Sequence, residues 1–565
     1  MSAEAEADTE KRRSPLLISI LIFGVLALLV VLASRFYTDY LWFSSVSAST
    51  VFTTQLAARV GLFLGFGLLM GGGLFGSLVL AYRLRPPVRR ANLDSELLLQ
   101  LRDSLDKRSR TLILLPSVVA GLLGGGVAAS QSQTFLAWTR ATEFGTPDAV
   151  FGLDASFYVF QLPWWRFVLS YVSFMVVVCL VGSLLVHFLT GAMNSTAFRK
   201  TGNLKAAGRA AQRQVSILLG VALLFYGVAS FLDRYGYLTT QNNLFTGVNY
   251  TDATSRIPAS LIVAAIAGIC ALLCFYNAWR VRWSVPGIAV GLLVISAMIL
   301  TAVYPWGVRN FVVKPNEPDL ERPWIANNIE ATRGAFGINA VQITDYEAVD
   351  SVSAGQLRTD AAALPAIRLM DPAIIAPTFE QLQQVRGYYR FPKTLDVDRY
   401  NVDGKETDSV VAARELDLNA VEAGNTWNNM HTVYTHGYGL VAAYGNRRES
   451  NGEPNYFSGG IPTEGLIQQE QPRIYFGEES KHWVIAGAPE GAEPVELDTP
   501  GGGQEHTETK YTYQGSGGVP IGDFLNKTAF AVRFGDINLL LSERVNSNSR
   551  LLFNRVPGSR RWRPS

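Results

Sequence analysis

Long runs of apolar residues recur through the first half of the chain and stop at about Tyr304. A helix that crosses the hydrocarbon core of a membrane needs about 20 mostly apolar residues. Seven uncharged segments approach or exceed that length, at about 16–33, 60–82, 112–129, 167–193, 215–232, 259–278 and 285–304. The pattern therefore predicts an all-α membrane domain over residues 1–304. This domain has seven spans, and its outer loops are rich in aromatic residues.

After Tyr304 the apolar runs shorten and are separated by clusters of Gly, Pro and Asn, which predicts a mixed α+β domain over 305–565. A connector at 304–315 is expected to leave the membrane. Two helices are then expected, at 318–332 and 378–385. Strands are expected at 341–344, 433–444, 473–476, 483–486, 510–513 and 529–534.

Basic residues are distributed unevenly among the loops between the predicted spans. They concentrate in the N-terminal tail, in the loop after span two (83–110) and in the loop after span four (199–213), whereas the opposite loops carry isolated arginines. Lys and Arg beside span ends favour the cytoplasmic side. The N-terminus is therefore predicted to be cytoplasmic, and seven crossings make 305–565 an extracytoplasmic domain at the cell membrane.

Composition argues against several functions. Net charge is only +2, so no global field favours a nucleic-acid partner. The three cysteines, Cys179, Cys270 and Cys274, fall within predicted spans, so 305–565 has no disulfide and no cysteine ligand for zinc. Its sequence also has no phosphate-binding loop, no His-Glu-x-x-His pair and no Gly-x-Ser-x-Gly elbow. We therefore expect no metal and no cofactor, and a non-enzymatic role is favoured.

The candidate catalytic residues are His431, Tyr434 and His436, which lie in the segment His-Thr-Val-Tyr-Thr-His. Two histidines with a tyrosine between them could form a metal or acid–base site. Positions five apart in a strand point to opposite faces, however. The spacing therefore favours a strand that enters a glycine turn, with each histidine hydrogen-bonded locally.

Glycines spaced by four recur in spans two and three, and small residues at this spacing let helices approach closely in lipid. The pattern favours tight packing between these spans, and a helix that lines a path is the alternative. The glycine pairs are Gly61/Gly65, Gly67/Gly71, Gly72/Gly76 and Gly121/Gly125.

Several motifs together resemble one family, uncharacterised protein family 0182 (UPF0182), which comprises large membrane proteins common in actinobacteria. The resemblance implies several spans and a large extracytoplasmic region, and it supplies no catalytic or binding residues. Family members typically continue further, so the basic tail at 555–565 suggests an exterior domain that is incomplete at its C-terminus. The motifs are those at 151–163, 250–258, 311–317, 321–323, 328–333, 377–383 and 431–439.

Three hypotheses for the function follow. The favoured one is a multi-pass membrane protein that anchors an extracytoplasmic domain, which binds an envelope protein or lipid. The second is a transporter or channel-like component. The third is an extracytoplasmic enzyme that acts on lipid-linked or envelope substrates and uses His431 or His436. Membrane lipids are expected partners in each case, and the oligomeric state is left open.

Overall fold

The computed structural model describes residues 15–85, 96–190, 208–282, 284–345, 350–351, 353–361, 369–402, 404–421, 426–501 and 507–553. Within these ranges, seven helical segments are long and apolar enough to cross a membrane, and a β-rich C-terminal domain follows. This confirms the expected fold class. The chain divides into two compact units, Met1–Phe52 with Tyr346–Ser565, and Thr53–Asp345. The division at residue 304 stays a prediction, and the tail at 555–565 lies outside the described residues.

The helices of the N-terminal half extend past the predicted spans, because hydropathy marks the apolar stretch and not the polar turns that continue it. Short π-helical turns at Phe157–Gln161 and Asp252–Arg256 lead into α5 and α7. The helices are α1 (Pro15–Ser45), α2 (Ser49–Arg83), α3 (Glu96–Ser130), α4 (Ser132–Thr139), α5 (Leu162–Leu189), α6 (Arg209–Gly236), α7 (Ile257–Arg280) and α8 (Ser284–Met298).

The predicted connector at 304–315 is helical, because the chain stays helical from Ser284 to Ala335, and its exit from the membrane stays a prediction. Pro305 and Pro315 each lack a backbone N–H donor. The π-helical and 3-10 turns beside them change the backbone hydrogen-bond pattern, so the helix continues. The pieces are Ile299–Val303, α9 (Tyr304–Gly307), Val308–Val313, Lys314–Asn316 and α10 (Glu317–Ala335). The strand expected at 341–344 is an exposed segment without strand geometry.

Helices α2 and α3 cross at their glycines. A Cβ on Gly67 would lie 2.9 Å from the carbonyl oxygen of Gly121, and one on Gly71 would lie 2.9 Å from that of Ser117. Neither position therefore has room for a side chain. These contacts support the packing interpretation for Gly67/Gly71 and Gly121/Gly125.

A polar cluster joins α2, α5 and α6. His187 is fully buried, and its Nε2 lies 2.9 Å from Oε1 of Gln214. The Gln214 amide donates to Ser183 Oγ at 3.0 Å and to the Ser77 carbonyl at 2.9 Å. Such hydrogen bonds hold helices together in lipid, so the histidine contributes to helix packing.

The C-terminal domain is built around an antiparallel five-stranded sheet in the order β2-β3-β6-β7-β8. A three-stranded sheet, β10-β14-β13, and the pairs β1-β4, β5-β9 and β11-β12 lie outside it. The strands are β1 (Tyr389–Arg390), β2 (Asp396–Val402), β3 (Lys405–Ala413), β4 (Glu415–Leu416), β5 (Gly437–Tyr438), β6 (Leu440–Arg448), β7 (Pro454–Gly459), β8 (Glu464–Gly465), β9 (Arg473–Ile474), β10 (Val484–Ala486), β11 (Glu496–Thr499), β12 (Thr509–Tyr511), β13 (Val519–Pro520) and β14 (Arg550–Leu552).

The helices of this domain are α11 (Ala354–Ala361), α12 (Pro372–Gln383), α13 (Phe524–Phe534) and α14 (Asn538–Leu541). Helix α12 buries Phe379 against Val410 and Val441 of the five-stranded sheet. The strand expected at 529–534 is wrong, because this segment belongs to α13. Asp523 caps the start of α13 by accepting from the Asn526 N–H at 2.8 Å.

The last turns of α1 are fixed to α13 by polar contacts. Arg533 Nη1 donates to Thr38 Oγ1 at 2.7 Å and pairs with Asp39 Oδ1 at 2.5 Å. The Tyr37 hydroxyl donates to Asn526 Oδ1 at 3.0 Å. Thr38 is fully buried. The C-terminal end of the first apolar helix is therefore part of the same compact unit as the C-terminal domain.

Apolar contacts reinforce this attachment. Leu41 and Trp42 of α1 pack against the core cluster that α13 forms with the three-stranded sheet, which includes Phe530 and Leu551. In contrast, the apolar side chains of α1 from Leu16 to Val30 are exposed wherever their burial is described. A helix that is apolar all round and uncovered is suited to lipid.

Two charged neighbours, Arg414 and Glu415, are buried near the start of β4 without pairing with each other. The Glu415 carboxylate accepts the N–H groups of Glu478 at 2.9 Å and Glu479 at 2.8 Å, and the Ser480 hydroxyl at 3.3 Å. Burial raises the pKa of Glu415 above its ordinary 4.5, and these donors only partly oppose the shift.

The raised pKa of Glu415 gives a pH-dependent prediction. The folded state holds this proton more tightly than the unfolded chain, so the contribution of Glu415 to stability is complete below about pH 4.5 and is lost as the pH rises through the folded pKa. Glu415→Gln should therefore gain stability relative to the parent protein between pH 4 and pH 7. Urea midpoints at the two pH values measure this difference, with the exposed Glu470→Gln as the control. If the stability of Glu415→Gln relative to the parent is constant or falls from pH 4 to pH 7, the raised pKa of Glu415 is contradicted.

Candidate functional site

The segment that carries the three candidate residues is not one strand. A π-helical turn, Asn429–Val433, contains His431, and strand geometry begins only at Gly437. The expected strand at 433–444 therefore holds only for β5 and β6. In a π-turn each N–H bonds to the carbonyl five residues back. The directions of the two histidine side chains therefore do not follow the two-residue period of a strand.

His431 belongs to an aromatic stack. Its ring lies 3.6 Å from that of Trp483, nearly parallel at 8°, and Trp483 in turn stacks on Phe534 at 5.0 Å. Its Nδ1 lies 2.9 Å from the Trp483 carbonyl oxygen. Burial lowers the pKa of His431, so the imidazole is neutral at pH 7. The contacts of His431 therefore support a packing role.

Tyr434 and His436 face other partners. The Tyr434 ring lies 5.1 Å from Tyr388. His436 is 2% exposed, lies against Tyr475 at 4.8 Å, and its Nδ1 is 3.0 Å from the Gly437 carbonyl oxygen. Burial lowers its pKa. His431, Tyr434 and His436 therefore lie against three different sets of aromatic partners, and their catalytic role stays a prediction.

Close to His436, a buried carboxylate joins four parts of the domain. Glu496 is 4% exposed. Its Oε2 accepts the hydroxyls of Thr435 at 2.6 Å and Tyr475 at 2.7 Å, while its Oε1 accepts the N–H groups of Gly487 at 3.0 Å and Tyr513 at 2.9 Å. Four donors occupy the two oxygens, so this carboxylate organises the surrounding loops and has little capacity left for a ligand.

Beside Glu496 opens a cleft of about 290 Å³ with both apolar and charged lining residues, which we call the Glu496 cleft. Arg544 is exposed at its rim, and its Nη1 lies 3.4 Å from Thr432 Oγ1. Behind Arg544, the Lys527 ammonium donates to the Val545 carbonyl at 2.6 Å and holds the segment in position. Residues lining the cleft include Thr432, Glu493, Glu496, Tyr511, Glu543 and Arg544.

The Glu496 cleft offers a guanidinium fork, two exposed carboxylates and an aromatic ring. A planar fork suits a carboxylate or phosphate, whereas carboxylates accept from amines and hydroxyls. Among the residues that the structure describes, no three His, Cys, Asp or Glu side chains lie together as a metal site. The arrangement can therefore bind a small polar group through hydrogen bonds.

The sequence did not single out Glu496, Tyr511 or Arg544. These residues come from separate parts of the chain, and no short spacing links them. A glutamate in a Gly- and Pro-rich stretch looks like an ordinary solvated charge. The β11-β12 pairing sets Glu496 opposite Tyr511, and Arg544 reaches the cleft from a later part of the chain.

Comparison with known proteins identifies the family. The model for the uncharacterised protein family UPF0182 matches residues 16–561. A UPF0182 protein of Streptomyces coelicolor is 39% identical over 556 residues, 97% of this chain and 54% of the relative. A UPF0182 protein of Leifsonia xyli is 38% identical over 558 residues, which are 98% of this chain and 56% of that relative.

The chain thus spans about half the length of the curated relatives it matches. No solved structure matches. The family match covers nearly the whole chain, including the predicted spans and the segment that contains the Glu496 cleft. This chain therefore belongs to the uncharacterised protein family UPF0182.

Proposed function

We propose that this protein is a non-enzymatic, multi-pass protein of the cell membrane whose C-terminal domain lies outside the cytoplasm and binds an envelope component. The Glu496 cleft is the observation that carries the binding role. Its volume is close to the lower limit of small-molecule sites. It suits one short polar unit with an acidic group, which meets Arg544.

The extracytoplasmic position of the domain is supported by two independent features. Basic residues concentrate in the loops that face the N-terminus, which favours a cytoplasmic N-terminus. The opposite end of α1 is attached to the C-terminal domain through Asp39 and Arg533. Seven crossings also return the chain to the side on which α1 ends. Both features favour the same side for the domain.

A binding role is better supported than catalysis or transport. The oxygens of Glu496 are occupied by four donors, and His431 and His436 have separate packing partners. In the membrane half, Gly67 and Gly71 face the backbone of α3 at contact distance. These glycines serve helix packing, so they give no support to a path between spans two and three.

The binding role is tested by thermal unfolding of the full chain in detergent. The probes are solubilised cell-wall fragments and a polar lipid extract from an actinobacterium. We expect one fraction to raise the Tm of the parent protein and to lose most of this effect with Arg544→Ala. Arg399→Ala removes an exposed arginine of β2 and should keep the response. Equal responses in both variants, or no response to either fraction, would contradict binding in the cleft.

A further inference from the structure

Two arginines occupy one end of the helices in the unit Thr53–Asp345. Arg166 precedes the long apolar stretch of α5, and Arg234 follows that of α6. Helices α5 and α6 are consecutive spans, so they cross in opposite directions and these two positions lie at the same end. We call Arg166 and Arg234 the arginine patch. Their place beside apolar spans corresponds to the headgroup level of a bilayer.

Arg234 is held by aromatic rings instead of by an acid. Its guanidinium carbon lies 4.1 Å from the ring centre of Phe231, 4.5 Å from that of Tyr235 and 5.8 Å from that of Phe151. It donates a short hydrogen bond to the Tyr235 hydroxyl. Its Nε is buried and has no hydrogen-bond partner among the residues described. Cation–π contacts fix the cation while leaving its charge uncompensated.

Arg166 lies against the last turn of α6. Its Nη2 occupies the space beside Gly236, where a Cβ would lie 2.1 Å away. Its acidic neighbour is Asp233, at 3.4 Å, and the two side chains are 39% and 62% exposed. An exposed pair of this kind contributes little to stability and leaves the guanidinium available to a second anion. The Arg166 Nε also finds no partner within the described part of the chain.

An ordered loop holds Phe151 against this patch. Asp148 accepts the N–H groups of Val150 at 2.8 Å and Phe151 at 2.6 Å, and the Phe151 ring then lies 4.9 Å from Tyr235. Asp154 accepts further N–H groups of the loop, and hydrogen bonds from Ser156 and Phe144 lower its pKa. The carboxylates of these aspartates therefore hold the loop together through its own backbone N–H groups.

We propose that the arginine patch binds the phosphate of an anionic phospholipid. Two partly exposed guanidinium groups beside apolar helices, one of them held among aromatic rings, match a phosphodiester whose acyl chains lie along those helices. The Phe231 and Tyr235 rings would face the glycerol and the upper acyl chain. This lipid site is independent of the Glu496 cleft and of its ligand.

The test uses the full chain in phosphatidylcholine nanodiscs with increasing fractions of phosphatidylglycerol, and native mass spectrometry counts the retained lipid. We expect Arg166→Ala/Arg234→Ala to weaken phosphatidylglycerol retention at least about tenfold, because both charge-assisted contacts to the phosphate are lost. Arg140→Ala removes an exposed arginine beside α4 at the same end of the helices and should change retention less than about twofold.

A second variant keeps all charges. Gly236→Ala displaces the Arg166 fork, which is the mobile end of a long side chain, and should weaken retention several-fold while the protein still folds. Inorganic phosphate at millimolar concentration is the competing probe. Equal retention by the double variant and the parent overturns the proposal, and so does retention that inorganic phosphate abolishes, since that marks a soluble-anion site. Unchanged retention in Gly236→Ala overturns the role of Arg166.

Discussion

Replacing Arg414 with alanine is expected to destabilise the C-terminal domain by about 3 kcal/mol or more. The side chain is completely buried. Its Nε donates to the Gln383 carbonyl at 2.7 Å, and its Nη1 donates to the carbonyls of Tyr438 at 2.7 Å and Gly460 at 3.1 Å. Removing the fork leaves three backbone acceptors without their donor and opens a cavity beside Phe391.

The charge on Arg414 persists despite burial. Desolvation lowers the pKa of Arg414 to about 10, so the guanidinium remains protonated at pH 7 and its hydrogen bonds are charge-assisted. Arg414→Lys should recover only part of the loss, because an ammonium cannot reproduce the planar fork.

Urea unfolding, followed by tryptophan fluorescence of the detergent-solubilised full chain, measures the effect of Arg414→Ala. The matched control is Arg399→Ala on β2, where an arginine that is 64% exposed pairs with Asp408. We expect the control to change the free energy of unfolding by less than about 1 kcal/mol. If the free energy of unfolding of Arg414→Ala lies within about 1 kcal/mol of that of the parent, the structural role of this side chain is contradicted.

Gly437→Ala is the second change with a large expected effect, about 3 kcal/mol of lost stability or failure to fold. An added Cβ would lie 2.0 Å from the Arg414 carbonyl oxygen and 2.8 Å from the Glu415 Cα. Both atoms belong to the backbone, so neither can move aside without separating β5 from the backbone at 414–415. The Tyr438 N–H, which donates to Arg414 at 2.9 Å, would lose this hydrogen bond.

Gly387→Ala provides the comparison for this change. Gly387 is exposed, and no heavy atom lies within 4 Å of the position of its Cβ. The same urea experiment should show a change of less than about 0.5 kcal/mol for Gly387→Ala. If Gly437→Ala unfolds at the same urea concentration as Gly387→Ala, the close approach of β5 to Arg414 is wrong.

Hydropathy was sufficient to predict the seven spans because lipid requires a long uncharged surface from each of them. It was insufficient for the end of the last one. A connector was expected at 304–315 and a separate helix at 318–332, yet the chain remains helical to Ala335. Local propensity describes single turns, whereas changes between π-, 3-10 and α-type hydrogen bonding allow a helix to pass several prolines.

The C-terminal strands were only partly predicted. No strand was predicted at 396–402, yet Asp396 and Asp398 lie in β2, an edge strand whose exposed faces tolerate charge. In contrast, the apolar segment at 529–534 was predicted as a strand and belongs to α13. Its few residues fit both periodicities, and the Asp523 cap decides the outcome.

The candidate site shows the limit of short motifs. His431 and His436 were conspicuous because they are close in sequence, but they contact different aromatic groups. The Glu496 cleft joins residues more than a hundred positions apart, from Thr432 to Arg544. Its geometry depends on β11-β12 pairing and on the segment that carries Arg544, and long-range contacts of this kind leave no local pattern in one sequence.

The most direct test of the proposed arrangement is the sidedness of the C-terminal domain. All three native cysteines are buried, so single introduced cysteines can be labelled with little background. Glu406→Cys lies at an exposed position of β3, and Arg110→Cys is exposed before the apolar part of α3. We predict that a membrane-impermeant maleimide labels Glu406→Cys in intact cells and Arg110→Cys only after permeabilisation. The reverse pattern would contradict an extracytoplasmic binding domain.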